Sequence, residues 1–254
     1  MNNLVSIIMP SYNSSLYIDE AVQSVINQSY QDWELIVIDD CSKDNSVEII
    51  QAYLQKDSRI ILLSQSENGG PAKSRNIGIQ KAEGRYITFL DSDDFWEPDF
   101  LQTSLQYLND RQIEFCFASY HRITEQGQYI DFFKVPDKVN YYDLLKTCPI
   151  PCLTAIYDTS RVGKHFMPPL KKRQDYGLWL SLAKEIDYMY GIEKPLATYR
   201  IRKNSVSRNK FKTAYYQWKI YREVEKINFF KSVYYIIHYT FNGILKYAVL
   251  LKTP

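Results

Sequence analysis

Four short apolar runs stand in the first ninety residues, each followed by a polar cluster and separated from the next by a segment with helical spacing. That pattern leaves the chain few folds. The runs are Val5-Ser6-Ile7-Ile8-Met9, Leu35-Ile36-Val37-Ile38, Ile60 to Leu63 and Tyr86-Ile87-Thr88-Phe89-Leu90. After the first run, Tyr17, Ile18, Ala21, Val22, Val25 and Ile26 recur on one helix face. After the second, Val47, Ile50 and Leu54 do the same, with Asn45 and Glu48 spaced as a capping box. After the third, Pro71 follows Gly69-Gly70, as at the first turn of a helix. Such alternation predicts a parallel sheet with helices on its faces. Ligands of these sheets bind beyond the carboxyl ends of the strands, which is where Tyr12-Asn13, Asp39-Asp40 and the Asp91 to Asp94 run fall.

Past Pro98 the pattern loosens. Ile113 to Ser119 and Leu196 to Ile201 read as strands, and Asp175 to Ala183 as a helix with Leu178, Trp179 and Leu182 inward. The chain's 254 residues suit one α/β domain, or one with an appendage. No positive charge precedes the first apolar run, which Pro10 cuts short, so no signal peptide is expected. A reducing cytoplasm and free thiols at Cys41, Cys116, Cys148 and Cys152 are expected instead. The Cys148/Cys152 pair lacks a second Cys or His pair at zinc-site spacing.

Asp91-Ser92-Asp93-Asp94 places three carboxylates within four residues at a strand end. Like charges this close raise one another's pKa unless a cation neutralises them. Oxygen ligands of this kind suit Mg²⁺ or Mn²⁺, which would also bridge a substrate diphosphate. The competing reading is a solvated turn, with Asp94 capping a helix near Pro98. Asp40 can accept from a base imide N–H or a ribose hydroxyl, or be a turn carboxylate.

The segments Val5 to Asn13, Ile38-Asp39-Asp40, Asn68 to Asn76 and Phe89 to Asp94 resemble, in order and spacing, the inverting family-2 glycosyltransferases of GT-A fold, of the bacterial surface-polysaccharide type. The resemblance implies a Rossmann-like, mostly parallel central sheet flanked by helices, and the residues from Lys210 onward read as a C-terminal helical extension. It implies that Pro10, Tyr12 and Asp40 line the nucleotide base, that Lys73 and Arg75 lie near the base and diphosphate, that Asp91 lies by the ribose, and that Asp93 holds Mn²⁺ or Mg²⁺. Arg173 to Trp179 is similar to the family's Glu-Asp segment, whose Asp is the catalytic base. Gln174 replaces the Glu, and Asp175 keeps the base position. The run Tyr199 to Ser207 resembles a late motif in which a metal-binding His often stands where this chain has Arg202. An arginine stays protonated and cannot ligate a metal, so Arg202 is expected to pair with the diphosphate.

From Arg200 onward the chain carries twelve Lys and Arg against two Asp and Glu, a local charge of +10 that leaves −8 on the rest. Basic residues alternate there with Tyr215, Tyr216, Trp218 and Tyr221, and Ser232 to Leu251 is aromatic and aliphatic. This divides the chain into a catalytic domain at 1–209 and a basic aromatic tail at 210–254. The tail has the composition of a helix lying on an anionic membrane, or of a helical pair packed on the domain. On the first reading a chain ending near Lys210 stays soluble and binds donor. No nucleic-acid motif accompanies the charge.

The expectation is therefore an enzyme peripheral to the inner face of a membrane. It moves a sugar from a nucleotide-sugar, a UDP-sugar by resemblance, to a saccharide or lipid-linked acceptor. The alternatives are a sugar-nucleotide or lipid binding protein without turnover, and a nucleotidyltransferase. The last needs a glycine-rich phosphate loop after the first strand, which Pro10-Ser11-Tyr12-Asn13 is not.

Overall fold

The structure is a computed structural model that describes residues 3–202 and 210–250, with 210–212 and 243–250 described by backbone alone. The motif residues Lys203 to Ser207 lie outside this description. Four parallel strands, β1 (Val5–Ser11), β2 (Trp33–Asp39), β3 (Ile60–Ser64) and β4 (Tyr86–Phe89), stand in the order β3-β2-β1-β4. Helices α1 (Ile18–Ile26), α2 (Ser46–Leu54) and α3 (Gly70–Lys81) connect them. Both faces of β1 are covered, because successive side chains of a strand point to opposite sides. Val5, Ile7 and Met9 pack with Ile18, Ala21, Val22 and Val25 of α1, while Ile8 packs with Ile79 of α3. Helix α3 lies very close to the sheet. A Cβ at Gly78 would stand 2.5 Å from Ile8 Cγ2 and 2.9 Å from Ile38 Cδ1.

The second half of the sheet is mixed. After β5 (Phe95–Trp96) and α4 (Phe100–Arg111) come β6 (Phe115–Thr124), β7 (Tyr129–Phe133), β8 (Lys138–Val139), α5 (Tyr141–Lys146), β9 (Ile156–Asp158), α6 (Thr159–Val162), α7 (Gln174–Leu182) and β10 (Met189–Ile201). Strand β9 inserts antiparallel between β4 and β6, and β10 runs parallel to β6. The expected strands and the α7 helix are present, with β10 beginning earlier than its apolar core suggested.

The expected capping box on α2 does not form. Asn45 makes no side-chain cap bond, and the neighbouring Asp44 does the work. Its carboxylate accepts from Ser46 N at 3.1 Å and Ser15 N at 3.0 Å. These bonds hold its pKa down at about 2, against the effect of burial. They also tie the loop after β2 to the loop after β1. Asp94 likewise caps no helix. It is buried, and its Oδ1 accepts from Arg200 N at 2.8 Å, fixing the end of β10 to the loop after β4.

The tail forms α8 (Lys210–Lys219), a π-helical turn over Ile220–Val224, and α9 (Phe229–Leu250). Ile220 and Tyr221 are fully buried in the cluster that contains Phe115, Trp179 and Leu144. Glu225 accepts from Tyr141 Oη at 2.5 Å and pairs with Lys184 at 2.7 Å. Asn242 of α9 donates to Lys146 O at 3.2 Å. Residue 209 therefore marks a change of composition, while the core continues across it. Among the described residues no helix is long and apolar enough to cross a membrane.

Candidate active site

The loops beyond β1, β2 and β4 meet the start of α7 and the end of β10 around a cleft of about 730 Å³. Eight of the nine predicted site residues line it: Pro10, Tyr12, Asp40, Arg75, Asp91, Asp93, Asp175 and Arg202. Lys73 does not. Its amine pairs with Glu67 at 3.3 Å on the exposed side of α3, and its stem lies over Gly69.

Tyr12 is half exposed at the cleft mouth, a flat apolar surface suited to stacking. Asp40, at the end of β2, is buried and already engaged. Its Oδ1 accepts from Gly69 N and from Gln65 Nε2, both at 2.7 Å, and its Oδ2 from Gly70 N at 2.8 Å. Gly70 has φ 80° here, a conformation that favours glycine. Asp40 thus fastens the loop that starts α3. A carboxylate offers about four lone-pair sites, so one remains for a ligand N–H. Asp40→Asn would set an NH₂ against one of these three donors. We expect it to weaken UDP binding about 10- to 100-fold, measured by calorimetry, and to lower the melting temperature. Unchanged UDP affinity would remove Asp40 from the base end.

Arg75 is buried in α3, and its Nη2 pairs with Asp91. Its Nε and Nη1 have no hydrogen-bond partner among the described residues. Burial works against its charge, but Asp91 foremost, with Cys152 and Asp175, outweighs this and raises the pKa. Asp93 accepts from Arg202 Nη1 at 3.1 Å. Burial, and Asp91 after it, raise its carboxyl above the ordinary range despite Arg202. Asp94 is pushed up further by burial, Asp93 and Asp91. Arg200 had no assigned role, yet it organises this end of the cleft. It donates from Nε to Asp93 O at 3.2 Å, pairs with Glu20, and lies over the Tyr17 ring at 5.1 Å. The late motif singled out Arg202 two residues on, and nothing in the sequence marked Arg200 beside it.

Asp175 lies in the first turn of α7, where the helix dipole favours a negative charge. It does not cap the helix: Arg173 takes the N-cap position. Gln174 is buried with Oε1 unpartnered among the described residues. Cys152, expected from sequence only as a free thiol, and Thr213, not singled out there, also line the cleft. Burial raises the Cys152 thiol pKa well above its usual value, so it is a neutral group there.

Among the described residues no three His, Cys, Asp or Glu side chains gather into a metal site. The donor set still suits a hard cation. Asp93 opens its carboxylate to the cleft, and the accumulated negative charge is what such a cation relieves. Mg²⁺ in nucleotide sites takes one or two carboxylates and completes its shell with phosphate oxygens and water.

A parallel half-sheet that ends in carboxylates around a cleft, joined to a mixed half that supplies a further Asp, is the arrangement of a nucleotide-sugar glycosyltransferase of GT-A fold. The chain belongs to glycosyl transferase family 2, whose model matches residues 6–155. It is 41% identical to TuaG of Bacillus subtilis, named for teichuronic acid biosynthesis, over 96% of this chain and 97% of that protein. It is 37% identical to the Escherichia coli UDP-Glc:alpha-D-GlcNAc-diphosphoundecaprenol beta-1,3-glucosyltransferase WfgD, over 96% of this chain and 95% of that one. S. aureus TarS in complex with UDP-GlcNAc has the same fold, with a TM-score of 0.71 at 22% identity over 85% of this chain and 64% of that chain. The mannosyltransferase PcManGT of Pyrobaculum calidifontis, in complex with GDP-Man and Mn²⁺, gives 0.66 at 15% identity over all of this chain and 76% of that one.

Proposed function

We propose that this glycosyltransferase moves a sugar from a UDP-sugar to a hydroxyl of a lipid-linked saccharide, with inversion, in the assembly of a cell-surface polysaccharide. The observation that carries this is the convergence of Tyr12 and Asp40, Asp91 and Asp93, and Asp175 on one cleft. The full-length likeness to TuaG and WfgD supports the acceptor class and the pathway.

Tyr12 and the free lone pair of Asp40 receive the base. Arg75 orients Asp91 toward the ribose. Arg202 balances the diphosphate charge. Asp175 accepts the acceptor's proton as its oxygen attacks the anomeric carbon, and a single displacement inverts that centre. Asp93 would hold Mn²⁺ or Mg²⁺, which supplies electrostatic stabilisation of the leaving diphosphate.

The test is a panel of UDP-, GDP-, CMP- and dTDP-sugars with GlcNAc-diphospholipid acceptors, with product stereochemistry read by NMR. UDP-sugar turnover that produces an inverted linkage is expected. Chelator should abolish it, and Asp93→Asn should lower it by about 10²-fold or more. Retention of configuration, or full turnover of Asp93→Asn at saturating metal, would overturn the corresponding part of the mechanism.

The same reading places the protein on an anionic membrane surface, with the cytoplasmic inner face as its location. Phe230, Tyr234, Ile237 and Phe241 form one exposed stripe along α9, with Phe230 84% exposed, and Arg222, Lys226 and Lys231 stand exposed at its base. Burial of the stripe is insensitive to salt, whereas the basic attraction is screened. The full chain should sediment with anionic liposomes and be released only in part by high salt. Replacing Phe230, Ile237 and Phe241 by Ser should make release by salt complete. A protein that stays in the supernatant with anionic vesicles has no such surface.

A further inference from the structure

The start of α7, which carries Asp175, is held by the C-terminal helices. Arg173 has φ 65° and ψ 19°, a left-handed conformation that a non-glycine residue keeps only where its surroundings impose it. Its side chain shows what imposes it. Nε and Nη2 both donate to Gln217 Oε1 of α8, at 3.0 Å and 2.6 Å. Gln217 is fully buried, and its Nε2 donates to Tyr221 Oη at 2.8 Å, which donates in turn to Leu145 O at 2.5 Å. The same guanidinium lies 4.9 Å from the centroid of the Tyr239 ring of α9 and 5.0 Å from that of Tyr176 in α7.

Packing alone does not call for this arrangement. An apolar side chain at position 217 would seal the interface without burying an amide, which needs partners at both ends. The amide oxygen is placed where the Nε–H and Nη2–H of a planar guanidinium converge on it, so the pairing fixes direction as well as contact. The fixed group is two residues from Asp175, and Arg173 and Asp175 line the same cleft wall. Thr213 of α8 reaches that cleft as well.

We propose that α8 and α9 act as a clamp on the reaction centre: Gln217 and Tyr239 hold Arg173, and Arg173 is a positioning residue that sets where Asp175 meets the acceptor. This rests on Asp175 being the base. A base displaced by about 1 Å costs up to about 10²-fold in rate while binding elsewhere is unaffected. The clamp therefore acts on kcat and leaves nucleotide affinity alone.

The test uses the full chain with the donor and acceptor that the panel selects, and UDP as the binding probe. Gln217→Leu should keep its circular dichroism and its UDP affinity within about twofold, and lose about 10- to 100-fold in kcat with little change in acceptor KM. Gln217→Glu, which retains the accepting oxygen, should recover kcat to within about threefold of the parent. A folded Gln217→Leu variant with parental kcat overturns the clamp, and so does a parallel fall in UDP affinity and kcat. If Gln217→Leu does not fold, Arg173→Lys decides, since it keeps the charge but loses the paired donors; parental kcat there overturns the proposal. Asp175→Asn separates the two readings. Parental turnover in that variant removes the base itself, whereas loss of turnover there with parental kcat in Gln217→Leu removes only the clamp.

Discussion

Asp175→Asn is expected to lower kcat by about 10²- to 10⁴-fold while UDP affinity stays within about twofold. The amide has the shape of the carboxylate and can still accept a hydrogen bond, but it cannot take the proton that the attacking hydroxyl releases. Nucleotide binding should be spared because the proposed base end of the cleft is built on the loops after β1 and β2, with Tyr12 on one and Asp40 on the other. Arg75 interacts electrostatically with both Asp91 and Asp175, so the proposed ribose contact and the proposed base share one buried cation. Loss of the Asp175 charge leaves the Asp91 pair to hold Arg75 in place. Steady-state turnover with the selected donor and acceptor, beside UDP calorimetry, checks this. Residual turnover above about a tenth of the parent's would give the proton-accepting role to another group.

A chain cut at residue 209 is expected to lose its cooperative fold. This departs from the reading of the tail as a detachable membrane helix. Ile220 and Tyr221 are wholly buried against α5 and α7, and fully burying two such side chains contributes about 3–6 kcal/mol, a large part of a typical domain's 5–15 kcal/mol. The cut also leaves the Leu145 carbonyl without Tyr221 and Arg173 without Gln217. Thermal unfolding followed by circular dichroism should show a broad, early transition, and limited proteolysis should attack α5 and α7. A sharp transition within a few degrees of the full chain's would restore the detachable tail. The exposed stripe on α9 is compatible with the packed inner face, so one helix can serve both the core and a surface.

The first half of the fold was plain in the sequence because β1, β2 and β4 are buried on both faces and read as continuous apolar runs. The polar clusters after β1, β2 and β4 then had to share one edge. The second half was harder to read. Strand β9 is only three residues long, too short to carry a period, and its antiparallel insertion depends on partners about 70 residues earlier in the chain. The capping error at α2 came from spacing alone, since Asp44 lies one residue ahead of Asn45 and has Ser15 within reach. Arg200 and Gln217 were illegible for another reason. Each is an ordinary polar residue in a basic stretch, and its meaning comes from what lies across the fold: Asp93 and Glu20 for one, Arg173 for the other. The aromatic excess of the tail suggested a surface, and of its described aromatics Tyr221 is core while Tyr215, Phe229, Phe230, Tyr234 and Phe241 are exposed.

The position of β9 also bears on how the protein is made. Strand β4 has β1 on one side, and among the described residues β9 is the strand that pairs its other edge. During synthesis β9 emerges about 70 residues after β4, a delay of roughly 4–14 s at 5–20 residues per second. For that interval the nascent four-stranded half carries a bare, apolar strand edge, the kind that pairs with other chains. A cell that makes this protein slowly, or at high temperature, therefore faces an aggregation hazard on the ribosome, before the residues of the tail have left the tunnel. Slow codons placed ahead of β9 would prolong the exposure, whereas a chaperone bound at the β4 edge would shorten its effect.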